Sequence, residues 1–438
     1  MMRAGESKKY ETRPLSCFGR AKELRAMHYQ DVREARSKGK LLIVGGSAGL
    51  PQVLASGIGP MAYLGGEEYA GAVGIDPTFS KECLEAVEAR GFARDLCGYT
   101  RNFWGSMFLD RYVLGGRFPR PDFCLQMHGC DTMSKWFQQV SEHFDIPFFA
   151  IEWPFARKEG SNELNKQYLI YQMNELIEWM QKITGRPYDD ERLLVALRND
   201  CEVRSLWGEI CTLNKTIPAP LDHKTMFPLF IVSVIMRHED EAVEFYRMAR
   251  DEIKWRVDNQ IAAIPVERCR IIDDNEPPWF FLHIFRHMEK YGAVSLGSHH
   301  TFFLAGAFEE NADATLSARR TPAGKGREPR NRQEALNVLA EWYLDWPLFD
   351  AIVYPDAKRA MLFRMVKEWN ADAVLLHLNR GCEALTQGVA EDRLALAKAG
   401  IPVGTYESNM VDPREMNMAQ VLDRVDAFME SLGLAPIN

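Results

Sequence analysis

One unit occurs twice in this chain, and its form limits the folds open to it. Residues 121–154 read PDFCLQMHGCDTMSKWFQQVSEHFDIPFFAIEWP, and residues 371–409 read ADAVLLHLNRGCEALTQGVAEDRLALAKAGIPVGTYESN. Each copy opens on an apolar run short enough for a buried parallel strand, 123–127 and 373–378. Each then breaks at glycine, cysteine and an acid: Gly129-Cys130-Asp131 and Gly381-Cys382-Glu383. A helical stretch follows, clearest in the first copy, where Met133, Trp136, Phe137, Val140 and Phe144 share one face. Both copies close on Ile-Pro and then, after four residues, an acid: Ile146 to Glu152 and Ile401 to Glu407. Strand, cysteine turn, helix and strand together predict a parallel α/β unit, made twice.

That placement carries chemistry. In open parallel sheets, ligands lie outside the carboxyl ends of the strands. A cysteine there, at the start of a helix, meets unpaired N–H groups and the positive end of the helix dipole. Both favour the thiolate, the form that binds metal. The glycine before it lets backbone approach a bulky group and supplies a turn of positive φ. A tight turn with a buried free thiol is the structural alternative, and two thiolates alone do not name a metal.

A chain of 438 residues exceeds one ordinary core. Its net charge of −8 argues against nucleic acid or an anionic membrane surface as the main partner. Nine cysteines spread over this length do not resemble a secreted disulfide framework and fit a reducing, cytoplasmic setting. The first residues lack the apolar core of a signal peptide, and the apolar run at 226–236 is too short to span a bilayer.

Residues 21–37 read as a helix, and 40–47 (KLLIVGGS) as a buried strand ending in Gly-Gly-Ser-Ala-Gly. Neither G-x-x-x-x-G-K-[ST] nor G-x-G-x-x-G is present there, so a glycine-rich strand-to-helix turn is the simpler reading. Cys97 lies in DLCGYTRNFWG ahead of a helix. Residues 162–184 form a long helix whose Leu169, Met173, Leu176, Met180 and Ile183 make a core stripe. Helical patterns continue at 193–213 and 239–258, and further strands are expected at 268–272, 293–297, 373–378 and 401–406. The fold class is α/β: two small Rossmann-like parallel-sheet domains joined by a helical segment, with an N-terminal helical extension. The expected boundaries are 1–39 for the extension, 40–160 for the first α/β domain, 161–262 for the helical segment and 263–438 for the second α/β domain.

Cys97 in DLCGYTRNFWG, Cys130 in HGCDTMSKW and Cys382 in NRGCEALTQG resemble the three cysteine motifs of the benzoyl-CoA reductase and 2-hydroxyacyl-CoA dehydratase family. Residues 407–433 resemble that family's closing segment, and 273–279 (DDNEPPW) with 293–301 resemble its reductase subunits. Within the family the chain looks most like the larger cluster-carrying subunit of ATP-dependent benzoyl-CoA reductase. The resemblance implies a [4Fe–4S] cluster held by Cys97, Cys130 and Cys382. Full cysteine ligation uses four thiolates, so one iron stays open. It implies an acyl-CoA substrate of the benzoyl-CoA type, reduced in single-electron steps to a cyclic dienoyl-CoA. It also implies a homologous second cluster-carrying subunit, an ATP-hydrolysing iron–sulfur activator and ferredoxin upstream. Dehydrating relatives share the ligand set, so a 2-hydroxyacyl-CoA dehydratase subunit stays open, as does a non-catalytic electron relay.

Gly129 and Gly381 are the expected cluster-side glycines. Cys124, mid-strand, should be buried and inert. His300, of the pair His299-His300 at a strand end, is a candidate proton donor, the alternative being a structural pair. Glu68 and Ser47 resemble positions near the substrate in the dehydratases' larger subunit, the alternative being loop capping. His128 could bond a cluster sulfur or fix the turn, and Glu152 and Glu407 are site residues or caps.

Overall fold

The computed structural model describes residues 8–46, 49–154 and 162–437. Two four-stranded sheets, parallel throughout, form its frame. The first contains β1 (Leu41–Gly45), β2 (Met61–Leu64), β3 (Phe123–His128) and β4 (Phe148–Glu152) in the order β2-β1-β3-β4. The second contains β5 (Cys269–Asp274), β6 (Ala293–Gly297), β9 (Ala373–Arg380) and β10 (Val403–Asn409) in the order β10-β9-β5-β6. Between β6 and β9 lies a small antiparallel hairpin of β7 (Phe308–Glu310) and β8 (Leu316–Ala318).

From the β6 edge, the second sheet runs second strand beside first, then third, then fourth, as the first sheet does from β2. The duplication seen in sequence as β3–β4 and β9–β10 therefore extends to β1–β2 and β5–β6. In each sheet the order reverses between the first and third strands. At such a switch point the adjacent loops diverge and leave a crevice.

Both faces of the first sheet are covered, as continuous apolar strands require. Leu42, Val44 and Cys124 point into one core with the helices Pro77–Glu88 and Gly98–Phe108. Ile43, Phe123, Leu125 and Met127 point into the other, which continues without a break through the helices Asn162–Thr184 and Asp190–Leu213 to the second sheet. The helix Phe18–Glu34 packs beside His223–Met236, and Tyr10 N donates to Pro265 O at 2.8 Å, tying the N-terminal stretch to the second half.

The glycines after β1 serve packing. A Cβ on Gly45 would lie 2.1 Å from Leu125 O and 2.3 Å from Tyr63 Oη. Gly46 is similarly close to Met133, and its carbonyl accepts from Tyr63 Oη at 3.2 Å. Among the described residues, no helix is long and apolar enough to cross a membrane.

Candidate functional site

Of the nine cysteines, six are buried and three are half-buried: Cys97, Cys130 and Cys382. All three line one cavity of about 860 Å³, a size suited to a cofactor or an extended ligand. Cys130 follows β3 and caps the helix Asp131–Phe144; Cys382 follows β9 and caps the short helix Glu383–Thr386. They occupy equivalent places in the two sheets. Cys97 caps the helix Gly98–Phe108 and has no strand before it.

The Cys97 loop reaches the others by docking onto the second sheet. Gly381 has φ +77°, and a Cβ there would meet Leu96 O at 2.9 Å and Asp95 O at 3.0 Å. A Cβ on Gly98 would sit 2.4 Å from Asn409 Oδ1, at the end of β10. Only glycine permits this contact from both sides. Arg101, fully buried, ties the junction: its Nε donates to Leu96 O at 3.1 Å, Nη1 to Glu88 at 3.1 Å and Nη2 to Asp412 at 3.4 Å. Arg414 bridges the same two acids from outside. Removing one member of a buried ion pair strands its partner. Here Arg414 still holds Glu88 and Asp412 when Arg101 is removed, so Arg101→Met is expected to cost about 1–3 kcal/mol, for its lost hydrogen bonds, read as a lowered denaturation midpoint; an unchanged midpoint would show that the strap is not needed.

N–H groups surround each sulfur, as expected for caps. None of the three sulfurs accepts a capping hydrogen bond, but the nearby N–H groups of Tyr99 and Thr100, of Thr132 and Met133, and of Leu385 each favour the thiolate at Cys97, Cys130 and Cys382 respectively. In the chain without metal, burial works against the thiolate. Burial dominates, and the sulfurs also raise one another, so Cys130 is pushed up to about 12 and Cys382 well above the ordinary thiol value; Cys97 is raised by burial. Burial penalises three neighbouring anions. Among the described residues, no group of three or more His, Cys, Asp or Glu stands close enough to share one metal ion.

The same cavity holds two buried carboxylates. Glu67, which the sequence alone does not distinguish from its neighbour, folds back over Gly65, and both of its oxygens lack a hydrogen-bond partner. Burial, reinforced by the Glu68 charge, pushes it up to about 8. Glu68 accepts from Tyr112 Oη at 2.9 Å, and burial pushes it up to about 7. These acids follow β2, and His299-His300 follow β6, so the two pairs are equivalent in the duplicated topology.

The histidine pair divides between structure and site. His299 is locked by Asp274, through its N–H at 2.9 Å and its Nδ1 at 2.9 Å. His300 lines the cavity, its Nε2 lies 3.2 Å from Glu276 Oε2, and burial lowers its pKa. Gly129 lines the cavity as well, facing Phe349. Ser47 lies outside the described residues. His128 turns to Glu152, with Nδ1 2.8 Å from Oε1, and Glu407 takes Arg380 at 2.6 Å, so both repeat-closing acids are paired. Cys124 is fully buried in β3, and burial raises its thiol pKa far above the ordinary value.

Comparisons with known proteins agree along most of the chain. It is 26% identical to the (R)-phenyllactyl-CoA dehydratase alpha subunit of Clostridium sporogenes over 424 residues, 93% of this chain and 96% of that one. It is 24% identical to the alpha subunit of lactoyl-CoA dehydratase from Anaerotignum propionicum over 422 residues, 92% and 93% of the two chains. A benzoyl-CoA reductase chain of Thauera aromatica is 23% identical over 357 residues, 78% of each. The model of the family described as 2-hydroxyglutaryl-CoA dehydratase, D-component, matches residues 51–432, and the chain belongs to that family.

Proposed function

We propose that this chain is the substrate-binding, iron–sulfur subunit of an enzyme that dehydrates a 2-hydroxyacyl-CoA by radical chemistry. The observation that carries the reading is one cavity lined by three half-buried cysteines from separate loops and by two buried carboxylates. The names of the dehydratase relatives supply the substrate class and the reaction. The donor set fits an iron–sulfur cluster in its chemistry, since three cysteine side chains line one cavity and thiolates are the ligands that such clusters take. Cys97, Cys130 and Cys382 would hold a [4Fe–4S] cluster, with Gly129 and Gly381 giving it room. Bound there, the cluster would supply a low-potential electron and a Lewis-acidic iron.

The chain's own residues would manage water and protons. Trp136, Phe227, Trp279 and Trp346 line the cavity and keep it apolar. Glu67 and Glu68 hold their protons near neutral pH, the range in which a carboxyl group can both give and take one. Dehydration requires removal of the C3 proton and departure of the C2 hydroxyl as water. One carboxylate accepts the first proton, and its protonated neighbour delivers one to the hydroxyl. His300, held by Glu276, is a second proton carrier on the opposite, equivalent strand end.

Reduction of benzoyl-CoA is the second reading, favoured by the benzoyl-CoA reductase relative and by the likeness of residues 273–279 to such reductases. In either case the chain would work with a second cluster-carrying subunit and an ATP-hydrolysing activator fed by ferredoxin. Anaerobically purified protein is tested for iron and acid-labile sulfide, with about four of each per chain expected. Assay with the activator then separates the reactions: dehydration needs only a priming electron, whereas ring reduction consumes electrons in step with product. Protein without iron overturns both readings.

A further inference from the structure

The helix Phe18–Glu34 supplies one wall of the cavity. Lys22, Arg25, Ala26, Tyr29 and Arg33 all line it, at i, i+3, i+4, i+7 and i+11, which is one face of a helix. An adjoining face, with Ala21, Leu24 and Val32, is buried and holds the helix in place. Lys224, on His223–Met236, lines the cavity beside it.

Charge is sorted within the cavity. The carboxylates Glu67, Glu68 and Glu276 are buried or nearly so, while Glu383, next to Cys382, is exposed. Lys22, Arg25 and Arg33 are exposed, Lys224 is half-buried, and none of the four forms an ion pair among the described residues. The helix's own acids are committed elsewhere: Glu23 to Arg20, Asp31 to Lys38 and Lys40, and Glu34 to Lys38. Arg33 donates only to Leu114 O, at 3.0 Å. Four cations without an ion pair among the described residues, three of them exposed and all lining one cavity of a chain of net charge −8, favour a polyanion there.

We propose that this helix clamps the phosphates of coenzyme A. Lys22, Arg25, Arg33 and Lys224 would take the 3′-phosphorylated adenosine diphosphate end, while the pantetheine arm leads the acyl group inward to the carboxylates and cysteines. The proposal rests on the acyl-CoA reading above and adds which residues hold the nucleotide. It also gives the N-terminal helix a role in binding.

The test measures dissociation constants on the full chain for three probes: coenzyme A, 3′-phosphoadenosine 5′-phosphate, and the same acyl group carried on pantetheine alone. The variants are K22E/R25E and, separately, K224E. In K22E/R25E, affinity for the two nucleotide probes should fall roughly tenfold to a hundredfold, with acyl-pantetheine unchanged. In the unaltered protein, affinity for coenzyme A should weaken with added salt and that for acyl-pantetheine should not. Coenzyme A affinity unchanged in both variants, or an equal loss for acyl-pantetheine, overturns the clamp alone. If the unaltered chain binds no acyl-CoA, the clamp and the proposed function fall together. If the variants do not fold, the salt dependence decides, and a salt-independent coenzyme A affinity overturns the clamp.

Discussion

Cys97→Ala, Cys130→Ala and Cys382→Ala are each expected to take the anaerobically purified protein from about four irons per chain to little or none, with activity lost. Each side chain supplies one of only three thiolates proposed for the cluster, and no fourth cysteine among the described residues lines the cavity to replace it. Cys124→Ala is the control. It lies six residues before Cys130 in the sequence, but its sulfur is fully buried in β3 and belongs to the core beneath the sheet. That variant should keep its iron and lose about 1 kcal/mol of stability. Cys97→Ala is the most informative of the set. Its loop follows no strand and reaches the cavity by docking onto the ends of β9 and β10, so retained iron there would refute the three-loop arrangement while leaving the two strand-end cysteines in question.

The site was most legible in the sequence where chemistry and backbone conformation coincide. Gly129-Cys130 and Gly381-Cys382 mark the ends of apolar runs, and both proved to be strand-to-helix caps at equivalent places. The first half of the duplication was illegible because its strand ends share no residue types. β1 ends in glycine for close packing on Leu125, β5 ends in Asp274 to hold His299, and only topology reveals them as counterparts. The choice between Glu67 and Glu68 turns on side-chain direction, which adjacent positions in a sequence do not disclose. The balance of effects at the thiols was hidden for a related reason. Helix N–H groups can be read from a pattern, but burial, which outweighs them here, depends on what covers the loop. The role of residues 18–34 was hidden because an exposed cationic face looks like any solvated helix until its neighbour across the opening is known.

Glu67→Gln is expected to raise stability and abolish most activity together. The Glu67 carboxyl goes from its ordinary value of 4.5 to about 8 in the folded chain, chiefly through burial. The folded state thus holds this proton more tightly than the unfolded state does. Its contribution to stability is complete below pH 4.5, declines as pH rises, and is fully lost above about pH 8. Over that window the loss is about 5 kcal/mol, since the two states differ by about 3.5 pKa units and each is worth about 1.4 kcal/mol. Glutamine cannot ionise, so the variant should gain on the parent progressively from about pH 5 to pH 8 in parallel denaturation experiments. Its turnover should fall about a hundredfold or more if Glu67 carries a proton in the reaction. Tyr112→Phe provides the contrast. It removes the hydrogen bond to Glu68 and leaves the burial of Glu67, the chief cause of its shift, in place, so most of the pH slope assigned to Glu67 should persist. Stability curves for parent and Glu67→Gln that keep a constant separation across the window would mean that Glu67 is ionised in the fold, and its part in proton transfer would have to pass to Glu68 or His300. A buried acid without a partner is costly, and that cost is the reason a proton-carrying role is proposed for Glu67 at the end of β2.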